Sequence, residues 1–291
     1  MEDGRSNIIV SIFGTSSGIG KTITAINLAA GLNRDGYSVC LVDLDLQFGD
    51  IASYLKLNPK ATLTTAHMQK DAEDFDIVNY LTEYRYKSAL GEVNFSVLVS
   101  PKMIFDAYII DVEFIERIVK QLYQFDFVVL DLNSVFSALN LAMLDMSTVI
   151  NFIGVIDYLP SVKNFKIGYD TLIRFEYEDS KIWLIENRSD AEKLIHAADI
   201  QKIVGVDFFH NLPNDYNAVK KSILDGCPLM FSSPGSPLTK SFKELADKYT
   251  RRQKGIEEPE ESAVAEVVKQ GMKQGQGLFS KLFSVFHRQG R

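Results

Sequence analysis

The stretch that most constrains this chain is Asn7-Ile8-Ile9-Val10-Ser11-Ile12-Phe13, which runs into a Gly/Ser turn starting at Gly14. A short β-branched run that is apolar on both faces belongs inside a parallel sheet. After the turn, Lys21 to Asn33 follows a helical pattern. Tyr37 to Val42 reads as a second strand, ending in Asp43-Leu44-Asp45. Strand, glycine turn, helix and strand make one βαβ unit. The alternation continues downstream. Strands are predicted at Phe95–Val99, Phe127–Leu130, Thr148–Val155, Ile182–Ile185 and Val206–Phe209. Helices are predicted at Val112–Tyr123, after Pro160, at Asp215–Leu224 and at Lys240–Arg252. Such spacing predicts an α/β fold: a doubly wound, mostly parallel sheet with helices on both faces. The polar, irregular segment Asn58–Glu92 reads as helical excursions near the switch end of that sheet.

With 291 residues, 46% hydrophobic and 24% charged, the chain suits one large domain carrying a short appendage. The composition changes near Arg251. This divides the chain into a domain over residues 1–252, a flexible linker over 253–277 and a tail over 278–291. A net charge of −7 argues against general binding of nucleic acid, which needs clustered Lys and Arg. Cys40 and Cys227 have no zinc-ligand spacing and read as reduced, partly buried thiols. Met1-Glu2-Asp3-Gly4-Arg5 does not resemble a secretory leader, and no stretch has the ~18 apolar residues of a membrane span. A cytoplasmic location is expected.

Gly14-Thr15-Ser16-Ser17-Gly18-Ile19-Gly20-Lys21-Thr22 sits between a buried strand and a helix, where a phosphate-binding loop has to be. Gly18 and Gly20 let the backbone turn several N–H groups toward one anion, and the helix dipole adds to them. Lys21 would reach the β/γ-phosphates and Thr22 would put a hydroxyl on Mg²⁺. The strict spacing is not met, because its first glycine falls on Thr15. Asp43 and Asp45, two apart on a strand end, can both face the phosphates. Open parallel sheets bind ligands at that edge.

These residues resemble the MinD/ParA class of P-loop ATPases, whose deviant loop reads K-G-G-x-G-K-[ST]. Aligned without gaps, the class's signature lysine falls on Ser16 and its first glycine on Ser17. The resemblance implies an ATP and Mg²⁺ site over Ser16, Ser17, Gly18, Ile19, Gly20, Lys21, Thr22 and Ile23. Asp43 would lie near the Mg²⁺ water shell, and Asp45 would orient the attacking water. Asp131, which closes the run Phe127-Val128-Val129-Leu130, looks like the Walker B aspartate, so Thr22, Asp43 and Asp131 form the expected metal set. Lys21 and Asp45 are the expected catalytic pair. Asn187 resembles the residue that contacts adenine, and Pro213, in Leu212-Pro213-Asn214-Asp215, lies in the loop beside the base. The class has a proline near position 133, where this chain has Asn133. With the signature lysine replaced by Ser16, ATP hydrolysis is expected to be weak or absent, while nucleotide binding survives.

The run Leu41 to Ala52, with Leu212 to Val219 and Ser236-Pro237-Leu238, looks like the CpaE/TadZ branch, which assembles and places Tad/Flp-type pili. The resemblance covers residues 7 to about 250. It implies a homodimer acting with pilus or secretion machinery. Three alternatives are a MinD-like factor that places division or flagella, a ParA-type DNA partition ATPase, and a metabolic P-loop enzyme.

On a helix at about 100° per residue, Leu278, Phe279, Leu282, Phe283, Val285 and Phe286 fall within roughly 160°. Ser280, Lys281, Ser284, His287 and Arg288 fill the other side. A basic polar face opposite Phe and Leu suits an interfacial helix. Residues 278–288 are therefore expected to meet the inner face of the cell membrane, a partner protein or the chain's own core.

Overall fold

The computed structural model describes residues 7–189 and 205–253. Its strands are β1 (Ile8–Phe13), β2 (Val39–Asp43), β3 (Thr82–Ser88), β4 (Gly91–Leu98), β5 (Phe127–Asp131), β6 (Val149–Val155), β7 (Ile182–Asn187) and β8 (His210–Leu212). They form one sheet in the order β3-β4-β2-β5-β1-β6-β7-β8. Among the described strands only the β3–β4 pair is antiparallel. β1 lies between β5 and β6, with Val10 in register with Val129 on one side and Val149 on the other. Every residue of β1, β2, β5 and β6 is buried, as strands covered on both faces must be.

Helices α1 (Lys21–Arg34), α2 (Ile51–Tyr54), α3 (Leu63–Met68), α4 (Val112–Gln121), α5 (Ala138–Met146), α6 (Leu159–Arg174), α7 (Tyr216–Asp225), α8 (Leu229–Ser232) and α9 (Pro237–Gln253) fill the two outer layers. The period of two along the strands sorts the core. Val10 and Ile12 point into a cluster with Leu28 and Leu32 of α1 and Leu245 and Tyr249 of α9. Ile9 and Phe13 point the other way, toward Ile115 of α4, Leu144 of α5 and Phe165 of α6. Each such apolar side chain, fully buried, contributes about 1.5–3 kcal/mol.

Two segments depart from the sequence reading. Within Asn58–Glu92, α3 and a 3₁₀ turn at Ile77–Tyr80 are helical, but Thr82–Ser88 is a strand that pairs with Gly91–Leu98 as a hairpin. β3 is an edge strand whose charged side chains face outward, with Arg85 on Glu83 at 2.6 Å and Lys87 on Glu92 at 3.0 Å. Such charges protect an edge from pairing with another chain and also hide its strand pattern. The strand expected at Val206–Phe209 starts later, at His210. Phe208 and Phe209 are used in packing instead, and Phe209 stacks on Trp183 with ring centres 4.0 Å apart. Cys40 and Cys227 are free and buried. No described helix is long and apolar enough to cross a membrane. From residue 254 on, the expected linker and tail lie outside the described residues, as do residues 1–6 and 190–204.

Candidate functional site

β1 hands directly to the loop and α1. Gly18 (φ +71°) and Gly20 (φ +92°) take left-handed conformations that L side chains rarely adopt. Gly14 has no room for a side chain, because a Cβ there would lie 2.3 Å from the Ile153 carbonyl oxygen of β6. Like α2, α6 and α8, and unlike α4, α5 and α7, α1 begins without a side-chain cap; what sets it apart is the glycine-rich loop that leads into it. Asp111, Ser137 and Asp215 cap α4, α5 and α7 by accepting backbone N–H bonds. The N-cap of α1 is Gly20, which offers no side-chain cap, and the first turn of α1 holds no acidic residue. Its leading N–H groups therefore face the loop without a protein anion, as an anion-binding helix start requires.

Lys21 emerges from this turn half-buried. Its Nζ donates to Ser134 Oγ at 2.7 Å and to the Ser16 carbonyl at 3.4 Å. Ser134 Oγ in turn donates to the Ser16 carbonyl at 2.7 Å. Burial pulls the ammonium below its ordinary pKa, while Asp131 and Asp45 pull it the other way. Ser134 lies just past β5, in a loop shaped by Asn140, whose amide donates to Asn133 Oδ1 at 2.8 Å and to the Val135 carbonyl at 2.7 Å.

The acidic residues converge at the carboxyl ends of β2 and β5. Asp43 is fully buried. It accepts from Ile51 N at 3.3 Å, Ser100 Oγ at 3.2 Å and Asp45 N at 3.3 Å. Burial, followed by the neighbouring Asp131 charge, raises its pKa well above the carboxylate range. Gly49 closes over it, since a Cβ there would fall 2.0 Å from Ser100 Oγ and 2.5 Å from Asp43 Oδ2. Asp131 is also buried, and its pKa is pushed up to about 7 by burial, against a hydrogen bond from Thr22 and the charge of Lys21. Asp131 Oδ1 is buried with no hydrogen-bond partner. An orphaned carboxylate oxygen beside a Thr hydroxyl is what a divalent cation would satisfy, and a cation there would displace the proton. Among the described residues no group of three or more His, Cys, Asp or Glu side chains could hold a metal. Mg²⁺ keeps waters and takes only one or two carboxylates along with phosphate oxygens, a demand that Thr22 and Asp131 could meet. Asp45 is half-exposed and accepts from Phe48 N at 3.2 Å.

On the far side of the loop, Asn187 Nδ2 donates to the Ile19 carbonyl at 2.7 Å. Gly20, Ile23, Asn187 and Pro213 line one small cavity of about 70 Å³, together with Leu238 and Phe242. Ser16, Ser17, Gly18 and Ile19 line a second one of 190 Å³ with the start of α6. The residues singled out from sequence therefore gather around one loop. Sequence reasoning missed Ser134, Ser100 and Gly49. Ser134 meets Ser16 across 118 positions and Ser100 meets Asp43 across 57, so no local pattern could reveal them.

Comparison with known proteins bears on the family and the fold. Residues 10–229 match the model of the CobQ/CobB/MinD/ParA nucleotide binding domain. A ParA family ATPase from Chlorobium tepidum TLS superposes with a TM-score of 0.73 at 21% identity, covering 82% of this chain and 98% of that one. The septum site-determining protein MinD of Pyrococcus horikoshii OT3, complexed with Mg-ADP, gives 0.68 at 19% identity over 87% and 100%. A putative plasmid partition protein of Borrelia burgdorferi B31 bound to AMPPNP gives 0.66 at 17% over 84% and 99%. These likenesses show the fold. An uncharacterized protein of Methanocaldococcus jannaschii is 27% identical over 30% of this chain, and the match spans 46% of that relative. With three quarters of its length matched, the chain belongs to the CobQ/CobB/MinD/ParA nucleotide-binding family.

Proposed function

We propose that this protein is an ATP-binding positioning or assembly factor at the membrane surface, working with Tad/Flp-type pilus or secretion machinery and turning ATP over slowly or not at all. The observation that carries the reading is the meeting of an uncapped glycine-rich loop with Asp43 and the unpartnered Asp131 oxygen at one sheet edge. Loop N–H groups and Lys21 would bind the phosphates, and Thr22 and Asp131 would hold Mg²⁺ with Asp43 behind them. Asn187, Ile23 and Pro213 would receive the base. Mg-ATP bound there supplies a transferable γ-phosphoryl group and, with it, a charge that differs before and after hydrolysis. Asp45 would hold a water for attack. Ser16 stands where the class carries its lysine, and a cation acting on a transferring phosphoryl can be worth about 10³–10⁵ in rate. Slow turnover follows.

The pilus branch is supported by the run Leu41–Ala52, which has a physical role here: Gly49 makes room for Asp43 and Ser100. Ser236 of the Ser236-Pro237-Leu238 run fits the same reading, bonding Asp215 Oδ2 at 2.6 Å beside the base-side cavity. Membrane attachment is supported by the two-sided pattern of residues 278–288. One short helix binds weakly, so a homodimer would gain by presenting two.

The test is co-sedimentation with anionic vesicles, with and without Mg-ATP, comparing the full chain with residues 1–276. Tail-dependent binding strengthened by Mg-ATP is expected. Binding that ignores Mg-ATP would make the protein a constitutive anchor. No binding in either state would remove the membrane role.

A further inference from the structure

We propose that Arg188 is a positioning residue that sets the direction of the phosphate-loop amides, a role that rests on the nucleotide-binding reading above. Its guanidinium Nη2 donates to the Gly18 carbonyl at 3.0 Å. The preceding residue, Asn187, donates to the next carbonyl, that of Ile19, at 2.7 Å. Two consecutive residues at the end of β7 thus hold two consecutive loop carbonyls, across 170 and 168 positions of sequence.

The consequence is stereochemical. In a planar trans peptide the C=O and the following N–H point in opposite directions. Holding the Gly18 and Ile19 carbonyls toward β7 aims the N–H groups of Ile19 and Gly20 away from it, into the concave side of the loop where an anion would sit. Gly20 lies so close to the clamp that a Cβ there would fall 2.4 Å from Asn187 Nδ2.

Arg188 is itself held in an unusual state. Its φ is +56°, a left-handed conformation for a non-glycine residue. Its own N–H donates to Asn187 Oδ1 at 2.9 Å, and Ser189 N–H donates to the Leu212 carbonyl at 3.0 Å. Left-handed non-glycine residues persist where surrounding contacts over-determine them, and they concentrate at functional sites. A loop shaped in advance spares the nucleotide the entropy of ordering it.

The experiment compares wild type with Arg188→Ala, Arg188→Met and Arg188→Lys in the full chain. Two quantities are read: backbone ¹⁵N relaxation of Ile19 and Gly20 without nucleotide, and affinity for Mg-ATP and Mg-ADP. In the Ala and Met variants the order parameters of these two amides should fall from about 0.85 to below about 0.6, and both nucleotides should weaken equally, by about five- to tenfold. Lys, which keeps a donor on a long stem, should restore most of both. Unchanged order parameters in Arg188→Ala overturn the proposal. So does a loss confined to Mg-ATP, which would mean direct contact with the γ-phosphate charge. If wild type binds neither nucleotide, the functional reading above fails, and the relaxation comparison still decides whether Arg188 orders the loop.

Discussion

The Lys21 ammonium donates to the Ser134 hydroxyl at 2.7 Å, joining the start of α1 to the loop that follows β5. This contact competes with any phosphate for the same lysine. Ser134→Ala should release Lys21 and tighten Mg-ATP binding by about three- to fivefold, the net worth of roughly one hydrogen bond. Lys21→Ala should weaken it by about 100-fold or more, since charge-assisted bonds to phosphate are lost. Isothermal titration measures both. Normal ATP binding by Lys21→Ala would mean that the site lies elsewhere.

Asp45 separates binding from turnover. It is half-exposed, and its carboxylate accepts from Phe48 N–H at 3.2 Å. Asp45→Ala should therefore leave Mg-ATP affinity within about threefold and remove whatever steady-state phosphate release the wild type has. Wild-type release from the variant would exclude Asp45 as the group that orients water.

Gly49 is required by space. A methyl there would sit 2.0 Å from Ser100 Oγ and within 2.6 Å of both Asp43 oxygens. Gly49→Ala should destabilise the fold by about 1–3 kcal/mol, the usual range for overpacking a filled site. Adding Ser100→Ala should recover part of the loss by removing the nearest atom. Urea unfolding of the four proteins forms a double-mutant cycle, and strictly additive losses would refute the contact.

How much of this could be read from sequence depended on how local each signal was. β1, β2 and β5 are buried on both faces, and their apolar runs announced them. Gly18, Gly20, Lys21 and Thr22 lie within five positions, and their spacing carries its own chemistry. β3 was not legible, because an edge strand alternating Glu83, Arg85 and Lys87 with buried Tyr84 and half-buried Tyr86 has no apolar run to announce it. The support of the site was equally hidden. Ser134 and Ser100 reach their partners across 113 and 57 positions, so only the closed sheet brings them together.

His210 gives the fold a pH dependence that the nucleotide site does not share in sign. It is buried, with Nε2 at 2.9 Å from both the Ser241 carbonyl and its hydroxyl. Burial, helped by the Lys248 charge, lowers its pKa to about 4 from an ordinary 6.5. The unfolded chain therefore binds the proton first. His210 contributes full stability above about pH 6.5 and loses it as pH falls toward 4, by about 2 kcal/mol between pH 7.5 and 5. Asp131, raised to about 7, runs the opposite way, because its folded form takes up a proton before the unfolded chain does. The two partly cancel in the wild type, and the comparison with His210→Gln separates them. Urea unfolding should show the variant gaining relative to wild type as pH falls from 7.5 to 5, with the difference levelling off below about 4. Parallel pH curves for the two proteins would mean that His210 takes up its proton without leaving the core.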